Sequence, residues 1–188
     1  MKELLSPQGK LIAFLVLTAA LVRLIPHEPN FTPIGAIALF GGTYILNKRL
    51  AFAVPLAAML LSDLALQLVY GNGFHSSMIF IYAAFALVAG IGLILRKRIR
   101  RQTIMVASLV GSLVFFFVTN FGAWLSAHST YPMTVAGLIE SYVAGIPFFR
   151  GTVMGDLFYN LVMFGGFALA KRFIPRLAAE PLPGPSNR

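Results

Sequence analysis

A cluster of cations separates two long apolar runs near the middle of the chain. Residues 96–101 contain five Lys or Arg side chains in six positions, and the flanking runs at 78–95 and 103–127 carry no charge. Such a cluster is excluded from hydrocarbon, and Lys and Arg in short loops are retained on the cytoplasmic side of a membrane. The cluster therefore predicts a cytoplasmic loop between two membrane spans, and every other loop can be assigned a side by counting spans from it.

The composition of the chain is that of an integral membrane protein. Its 188 residues are 58% hydrophobic and 11% charged, whereas about 25% of the residues of a soluble domain are charged. Because a helical span needs about 20 apolar residues, the length allows about five or six spans and no sizeable soluble domain. We predict an all-α, polytopic membrane protein with one transmembrane domain at residues 1–172 and a disordered, proline-rich cytoplasmic tail at 173–188.

Six transmembrane helices are predicted from the order of the apolar runs. The predicted spans cover residues 11–26, 34–46, 50–70, 78–95, 103–127 and 151–170. With six spans both termini lie in the cytoplasm. On that topology 13 of the 15 Lys and Arg residues, all but Arg23 and Arg150, fall on the cytoplasmic side, as the positive-inside rule requires.

Two local patterns refine this topology. The stretch at 135–148 contains Glu140 and is too short to span, so it is predicted to form a short outer helix or a re-entrant segment before the last span. Small residues recur four positions apart, at Ala38 and Gly42 and again at Gly151 and Gly155. This spacing predicts faces on which a neighbouring helix packs closely.

Polar side chains within the spans gather toward the outer side. Counted from the predicted helix ends, Asp63, Asn120 and Asp156 each lie about 10 Å below the outer surface, and Arg23 and Arg150 lie slightly higher. Because polar groups within spans are costly and often functional, these five are predicted to shape a substrate-binding cavity that opens to the outside. A second interpretation stays open, in which Arg23 with Asp63 and Arg150 with Asp156 are ion pairs that hold helices together.

Each of the three predicted outer loops contains one histidine: His27, His75 and His128. Neutral imidazole is a metal ligand, so the three can form a divalent-metal site at the mouth of the cavity, although no metal-binding spacing is present. We rank His75 first because its loop is short and flanked by glycine, with Phe74 beside it. Three further residues are predicted to complete the wall of the cavity: Asn30, Phe31 and Tyr131.

The sequence contains no catalytic motif. There is no nucleophile elbow, no Walker loop and no zinc-protease motif, and the lack of cysteine excludes thiol chemistry and disulfides. We therefore predict a protein that is not an enzyme. The net charge of +9 is explained by the predicted cytoplasmic loops, so we expect no nucleic-acid partner. The expected partners are the lipid bilayer and a small-molecule substrate.

Three motifs resemble those of a family of small bacterial membrane proteins. They are PNFTPIGAIALFGG at 29–42, TNFGAW at 119–124 and GDLFY at 155–159. The chain resembles the substrate-binding S-components of energy-coupling-factor vitamin transporters, and among these the solitary BtuM-type cobalamin transporters. The resemblance implies six helices in the bacterial cytoplasmic (inner) membrane, an outward-facing ligand cavity and uptake of a vitamin. Cobalamin is then a bound substrate, and no intrinsic cofactor is implied.

The chain departs from that family in two ways. Cobalamin transporters of this type are expected to coordinate cobalt through a cysteine, and the chain has none, so His75 is the candidate axial cobalt ligand. The Ala-x-x-x-Ala face expected on the first helix for docking to a coupling subunit is absent, since that helix offers Ala13, Ala19 and Ala20. This favours a solitary protein or one with a different partner. Two alternatives stay open: divalent-metal uptake through the histidines, and a structural membrane subunit that binds no ligand.

Overall fold

The computed structural model describes residues 5–26, 28–71, 73–126 and 129–178. Within these ranges the chain consists of helices and their connecting loops, without a β-strand. The helices are α1 (Pro7–Val22), α2 (Ile34–Tyr44), α3 (Lys48–Tyr70), α4 (Met78–Leu95), α5 (Arg101–Leu125), α6 (Val135–Phe173) and the short α7 (Pro175–Ala178). His27 and His128, two of the predicted metal-site residues, lie outside the described residues.

Four of these helices are long and apolar enough to cross a membrane. They are α3, α4, α5 and α6, which contain 23, 18, 25 and 39 residues. The helices α1 and α2 are also apolar but shorter, with 16 and 11 residues, whereas a full crossing takes about 20 residues. The all-α class is therefore confirmed, with four helices able to span a membrane, and the topology of six spans stays a prediction.

Helix α2 is the centre of the bundle. All 11 of its residues are buried, and it contacts α1, α3, α4, α5 and α6. A helix that is apolar on every face is stable where protein surrounds it. Glycine allows the closest contact, because a Cβ at Gly42 would overlap the backbone of Ala89 in α4, and one at Gly92 would overlap the carbonyl of Leu39 in α2. The predicted close-packing face at Gly42 is confirmed, with α4 as its partner.

Arg96, the first cation of the basic loop at 96–101, binds the end of α2. Its Nε donates to the carbonyl of Gly42 at 2.8 Å, its Nη1 donates to the carbonyl of Leu46 at 3.0 Å, and its Nη2 donates to the carbonyl of Ile45. Carbonyls at a helix C-terminus lack partners within the helix and carry partial negative charge. The basic loop therefore caps the central helix, in addition to the topological role predicted from its charge.

The last long helix differs from its prediction. Residues 135–148, predicted as a separate outer helix or re-entrant segment, and the predicted span at 151–170 belong to one continuous helix of 39 residues, α6. At 1.5 Å per residue α6 is about 58 Å long, which exceeds the roughly 30 Å of hydrocarbon. Pro147 lies within α6 and does not end it. The prediction was wrong because it relied on hydropathy, which falls in this region. Ser141 and Tyr142 donate to carbonyls of α5, so this part of α6 packs against the bundle.

The beginning of the predicted disordered tail is helical. The short α7 packs against α1, where Gln8 Nε2 donates to the carbonyl of Leu177 at 2.8 Å, and the side chain of Leu177 is buried. Residues 179–188 lie outside the described residues. These contacts bring the start of α1 to the end of the bundle where α6 ends and the basic loop lies. We refer to the opposite end of the bundle as the distal end.

Candidate ligand-binding site

A cleft of about 650 Å³ opens between α6 and the connection from α1 to α2. We refer to it as the distal cleft and define it by its eight lining residues: Glu28, Pro29, Phe31, Pro147, Phe148, Arg150, Gly151 and Met154. Its volume lies within the roughly 300 to 1,000 Å³ typical of small-molecule sites. Apolar side chains form most of the lining, and Glu28 and Arg150 add one exposed charge of each sign.

The connection from α1 to α2 owes its shape to a tight turn. Asn30 has a φ of 60°, in the left-handed region that asparagine tolerates better than most residues. The N–H of Phe31 donates to the carbonyl of Glu28 at 3.0 Å, and the N–H of Thr32 donates to the carbonyl of Asn30 at 2.9 Å. This turn places the connection against α6.

Two glycines of α6 allow this close approach. A Cβ at Gly151 would overlap the carbonyl of Pro29, and one at Gly155 would lie 3.0 Å from the backbone nitrogen of Thr32. Gly151 and Gly155 do form a close-packing face, but its partner is the connection from α1 to α2 and not a neighbouring helix as predicted. One wall of the distal cleft is therefore backbone packed on backbone.

Phe31 is held in place at the distal cleft by aromatic contacts. Its ring centroid lies 5.7 Å from that of Phe158 and 5.5 Å from that of Tyr159, both in α6. Aromatic pairs at such separations contribute about 0.5–1.5 kcal/mol beyond the burial of their area. Phe31 is therefore a preformed part of the cleft wall, whereas Arg150 is exposed at the cleft.

Arg23 and Asp63, two of the predicted site residues, form an ion pair away from the distal cleft. Asp63 is fully buried in α3; its Oδ1 accepts from Arg23 Nη1, and its Oδ2 accepts from Tyr82 Oη at 2.7 Å. Arg23 Nη1 also donates to Ser62 Oγ at 2.8 Å. The network joins the end of α1 to α3 and α4. Two interpretations stay open for this pair in the sequence, a role in a substrate-binding cavity and a structural ion pair. The contacts match the structural ion pair.

Asn120 and Asp156 lie in separate contacts of their own. Asn120 Nδ2 donates at 2.8 Å to the carbonyl one turn earlier in α5, and its side chain occupies the space beside Gly145. Asp156 is buried in α6, and its Oδ2 accepts from Ser112 Oγ at 2.6 Å. Arg150, its alternative ion-pair partner, lines the distal cleft. The five polar residues predicted to share one cavity are thus divided among different contacts.

Asp63 and Asp156 also lie at different depths. Asp63 contacts Tyr82 of α4, whereas a small cavity beside Asp156 is lined by Val88 of the same helix. Val88 follows Tyr82 by six residues, which is about 9 Å along a helix. The prediction of a shared depth is wrong. It counted the depth of Asp156 from a helix that starts at residue 151, whereas α6 begins at Val135.

Other predicted residues lie in the distal loops. Phe74 and His75 follow α3 and are exposed, and His75 Nδ1 lies 3.0 Å from Ser77 Oγ. Tyr131 is half-buried in the loop between α5 and α6. Within the described ranges no three His, Asp or Glu residues come together as a metal site. Two of the predicted binding residues line the distal cleft: Phe31 and Arg150.

Most of the cleft lining was not predicted. Glu28, Pro147 and Met154 are isolated in the sequence, and their spacing does not indicate a common site. The spacing of Gly151 and Gly155 was the one useful signal, because it identifies the face of α6 on which another segment packs. The partner segment could not be identified from the spacing, since small residues accept helices and loops alike.

Comparison with known proteins places the chain in a family. Residues 4–177 match the family of unknown function DUF6580. The chain belongs to this family. The match begins before α1 and extends into α7, so it includes the whole helical bundle. No curated protein and no solved structure matches the chain.

Proposed function

We propose that this protein takes up a vitamin-sized molecule, which it binds in the distal cleft. The main support is the cleft itself, about 650 Å³ of space lined by Phe31, Glu28 and Arg150 among other residues. Largely apolar walls with a few charged groups are usual for small-molecule sites. The proposed chemistry is binding, and any exchange of a metal ligand of the substrate would be incidental to it, so we do not propose an enzyme.

The cleft lining favours a ligand with an apolar body and polar groups. Phe31 offers an aromatic face held by α6, on which a ring system can pack. Glu28 and Arg150 are exposed, and each can form a charge-assisted hydrogen bond, which is stronger than one between neutral groups. A vitamin with a large ring and polar substituents has both features.

We propose a bacterial cytoplasmic membrane location with six spans and both termini inside. The basic loop lies at one end of the bundle and the distal cleft is displaced toward the other, which is the arrangement expected of an outward-facing site. The short helix α2 is surrounded by protein, and an incomplete crossing is tolerated where neighbouring helices shield the backbone from lipid.

Cobalamin is the first substrate to test, for a solitary transporter of S-component type. A corrinoid needs a volume at or above the upper end of the usual range of about 300 to 1,000 Å³, so it would extend from the distal cleft toward the distal loops. His75 is exposed in one of these loops. Because imidazole is a suitable ligand for transition metals, we propose His75 as the axial cobalt ligand.

The test is to incubate the purified protein with cobalamin in detergent and to measure the corrinoid absorbance that remains after gel filtration. We expect Arg150→Ala to weaken binding at least about tenfold, because it removes a charged hydrogen-bond donor from the cleft. Arg172→Ala removes an exposed cation from the other end of α6 and should leave binding unchanged. A spectral change that is lost in His75→Ala supports ligation by His75.

Two results would overturn parts of the proposal. Absence of retained corrinoid rejects cobalamin as the substrate. A thermal-shift screen in which no vitamin stabilises the protein, or in which Arg150→Ala and Arg172→Ala respond alike, rejects vitamin binding in the distal cleft.

A further inference from the structure

Asp156 is a carboxylate buried near the middle of the bundle. The residue is 6% exposed, and its partner Ser112 lies close to the midpoint of the 25-residue α5. Asp63 is neutralised by Arg23, but among the described residues no cation forms a salt bridge with Asp156. A carboxylate at this depth must be neutralised, either by a proton or by a bound cation.

A small cavity lies against this carboxylate. It holds about 20 Å³, which is room for one water-sized particle. Ser112 donates to Oδ2, and within the described ranges no hydrogen-bond donor reaches Oδ1. Four side chains that carry oxygen line the cavity: Asn30, Thr32, Thr152 and Asp156. We refer to this space as the aspartate cavity.

Glycine sets the width of the aspartate cavity. A Cβ at Gly35 would overlap Oδ1 of Asp156, so the carboxylate reaches its position only because α2 has no side chain there. The Thr152 hydroxyl donates to a carbonyl of its own helix at 3.3 Å, and its oxygen can still coordinate an ion. The cavity is formed by α2, by α6 and by the connection that precedes α2, and the rest of its lining is contributed by α4 and α5: Phe85, Val88, Gly111 and Phe115.

We propose that the aspartate cavity binds one monovalent cation of the size of sodium. Hard cations prefer oxygen ligands such as carboxylate, hydroxyl and amide groups, and these are the polar groups of the lining. Charge balance favours a monovalent ion, because one carboxylate neutralises it, whereas a divalent ion would leave a net positive charge buried. The site is separate from the proposed substrate site.

The proposed cation also connects the two sites physically. Asn30 and Thr32 flank Phe31, which forms part of the wall of the distal cleft. A cation bound between these residues and Asp156 would hold the connection from α1 to α2 against α6. Cation binding would then stabilise the folded protein, since any ligand that binds only the folded state does so.

The test uses the purified protein in detergent at constant ionic strength, with choline chloride replaced stepwise by LiCl, NaCl or KCl. The thermal midpoint of unfolding is followed by the fluorescence of Trp124, the one tryptophan of the chain. We expect a saturable rise of the midpoint with NaCl and a smaller rise with KCl, because the carboxylate of Asp156 attracts the smaller ion more strongly. Equal effects of the three salts and of choline overturn the proposal. No vitamin is present, so the outcome is independent of substrate binding.

Variants with matched controls locate the ion. Asp156→Asn keeps the shape of the side chain and removes its charge, so the response to sodium should be lost, whereas Glu140→Gln removes an exposed carboxylate of the same helix and should retain it. Gly35→Ala places a methyl group where Oδ1 of Asp156 lies and displaces the carboxylate, so it should also abolish the response. Gly90→Ala is its control, because nothing lies within 4 Å of the added Cβ.

If Asp156→Asn does not fold, Ser112→Ala tests cation binding in the aspartate cavity instead. The hydroxyl of Ser112 orients the carboxylate without lining the cavity, and loss of such an orienting partner weakens metal binding about 10–100-fold. We expect a shift of that size in the sodium concentration at half-saturation. A sodium response that persists unchanged in both Gly35→Ala and Ser112→Ala overturns the proposal.

Discussion

The network around Asp63 illustrates how single residues accommodate a buried charge in this bundle. Asp63→Ala leaves the guanidinium of Arg23, whose side chain is 17% exposed, without its partner. We expect the free energy of unfolding to fall by about 3–5 kcal/mol, as is usual when one member of a buried pair is removed. Tyr82→Phe removes one hydrogen bond to the same carboxylate and should cost about 1.5–3 kcal/mol. Denaturant unfolding in detergent measures both changes.

A double variant separates the effect of charge from that of packing. Arg23→Leu combined with Asp63→Leu leaves neither charge buried alone, so it should recover a large part of the stability lost in Asp63→Ala. Glu140→Gln changes an exposed carboxylate and should alter the free energy of unfolding by less than about 0.5 kcal/mol. If Asp63→Ala changed the free energy of unfolding as little as Glu140→Gln, the ion pair would not be what joins α1 to α3.

At the same scale, some contacts could be predicted from the sequence and others could not. The pairing of Arg23 with Asp63 could be predicted, because a buried charge is normally paired with one of opposite sign. The sequence did not identify Tyr82 as the hydrogen-bond donor to Asp63, or Ser112 as the donor to Asp156. A hydroxyl group on an apolar helix is common, and whether it meets a carboxylate depends on how that helix is rotated in the bundle. Most of the lining of the distal cleft could not be predicted for a related reason, since it comes from two segments that are far apart in sequence.

Among the secondary-structure elements, the contact between α2 and α4 depends on glycine. Gly42→Ala would push a methyl group into the backbone of Ala89, which cannot yield as a flexible side chain does. We expect a loss of about 1–3 kcal/mol in the free energy of unfolding, as for other overpacked sites. Gly90→Ala, on an open face of α4, should instead stabilise the protein by about 0.5–1 kcal/mol.

This pair of variants is a matched comparison, because both introduce the same methyl group into a helix. Thermal unfolding under identical detergent conditions measures the difference. Equal midpoints for Gly42→Ala and Gly90→Ala would contradict the close packing of α2 on α4.

The helices themselves were predicted more accurately than their ends. Apolar runs indicated α3, α4 and α5 nearly as observed, because a continuous run of about 20 apolar residues has few other stable structures in a bilayer. The sequence of α6 is divided in the prediction, because the stretch at 135–148 is only mildly apolar, contains Glu140 and is too short to span. The contacts of α6 with α5 override that local signal, and they cannot be read from the sequence of α6 alone.

For the whole molecule, the basic loop and the distal cleft define two ends whose placement in the membrane can be measured. The lack of cysteine allows single introduced thiols to report accessibility without background. Exposed positions exist near the amino terminus, in a distal loop and in the basic loop: Leu5, Ser76 and Lys97. A maleimide that cannot cross membranes then distinguishes the two faces.

We expect the maleimide to label Ser76→Cys in intact cells, and to label Lys97→Cys and Leu5→Cys only after the membrane is opened. The Lys97 result follows from retention of the basic loop in the cytoplasm. The Leu5 result tests whether α1 crosses the membrane, because an amino terminus labelled from outside is incompatible with six spans. Labelling of Lys97→Cys in intact cells would place the distal cleft toward the cytoplasm, where it could not capture a molecule from outside, and would contradict the proposed uptake function.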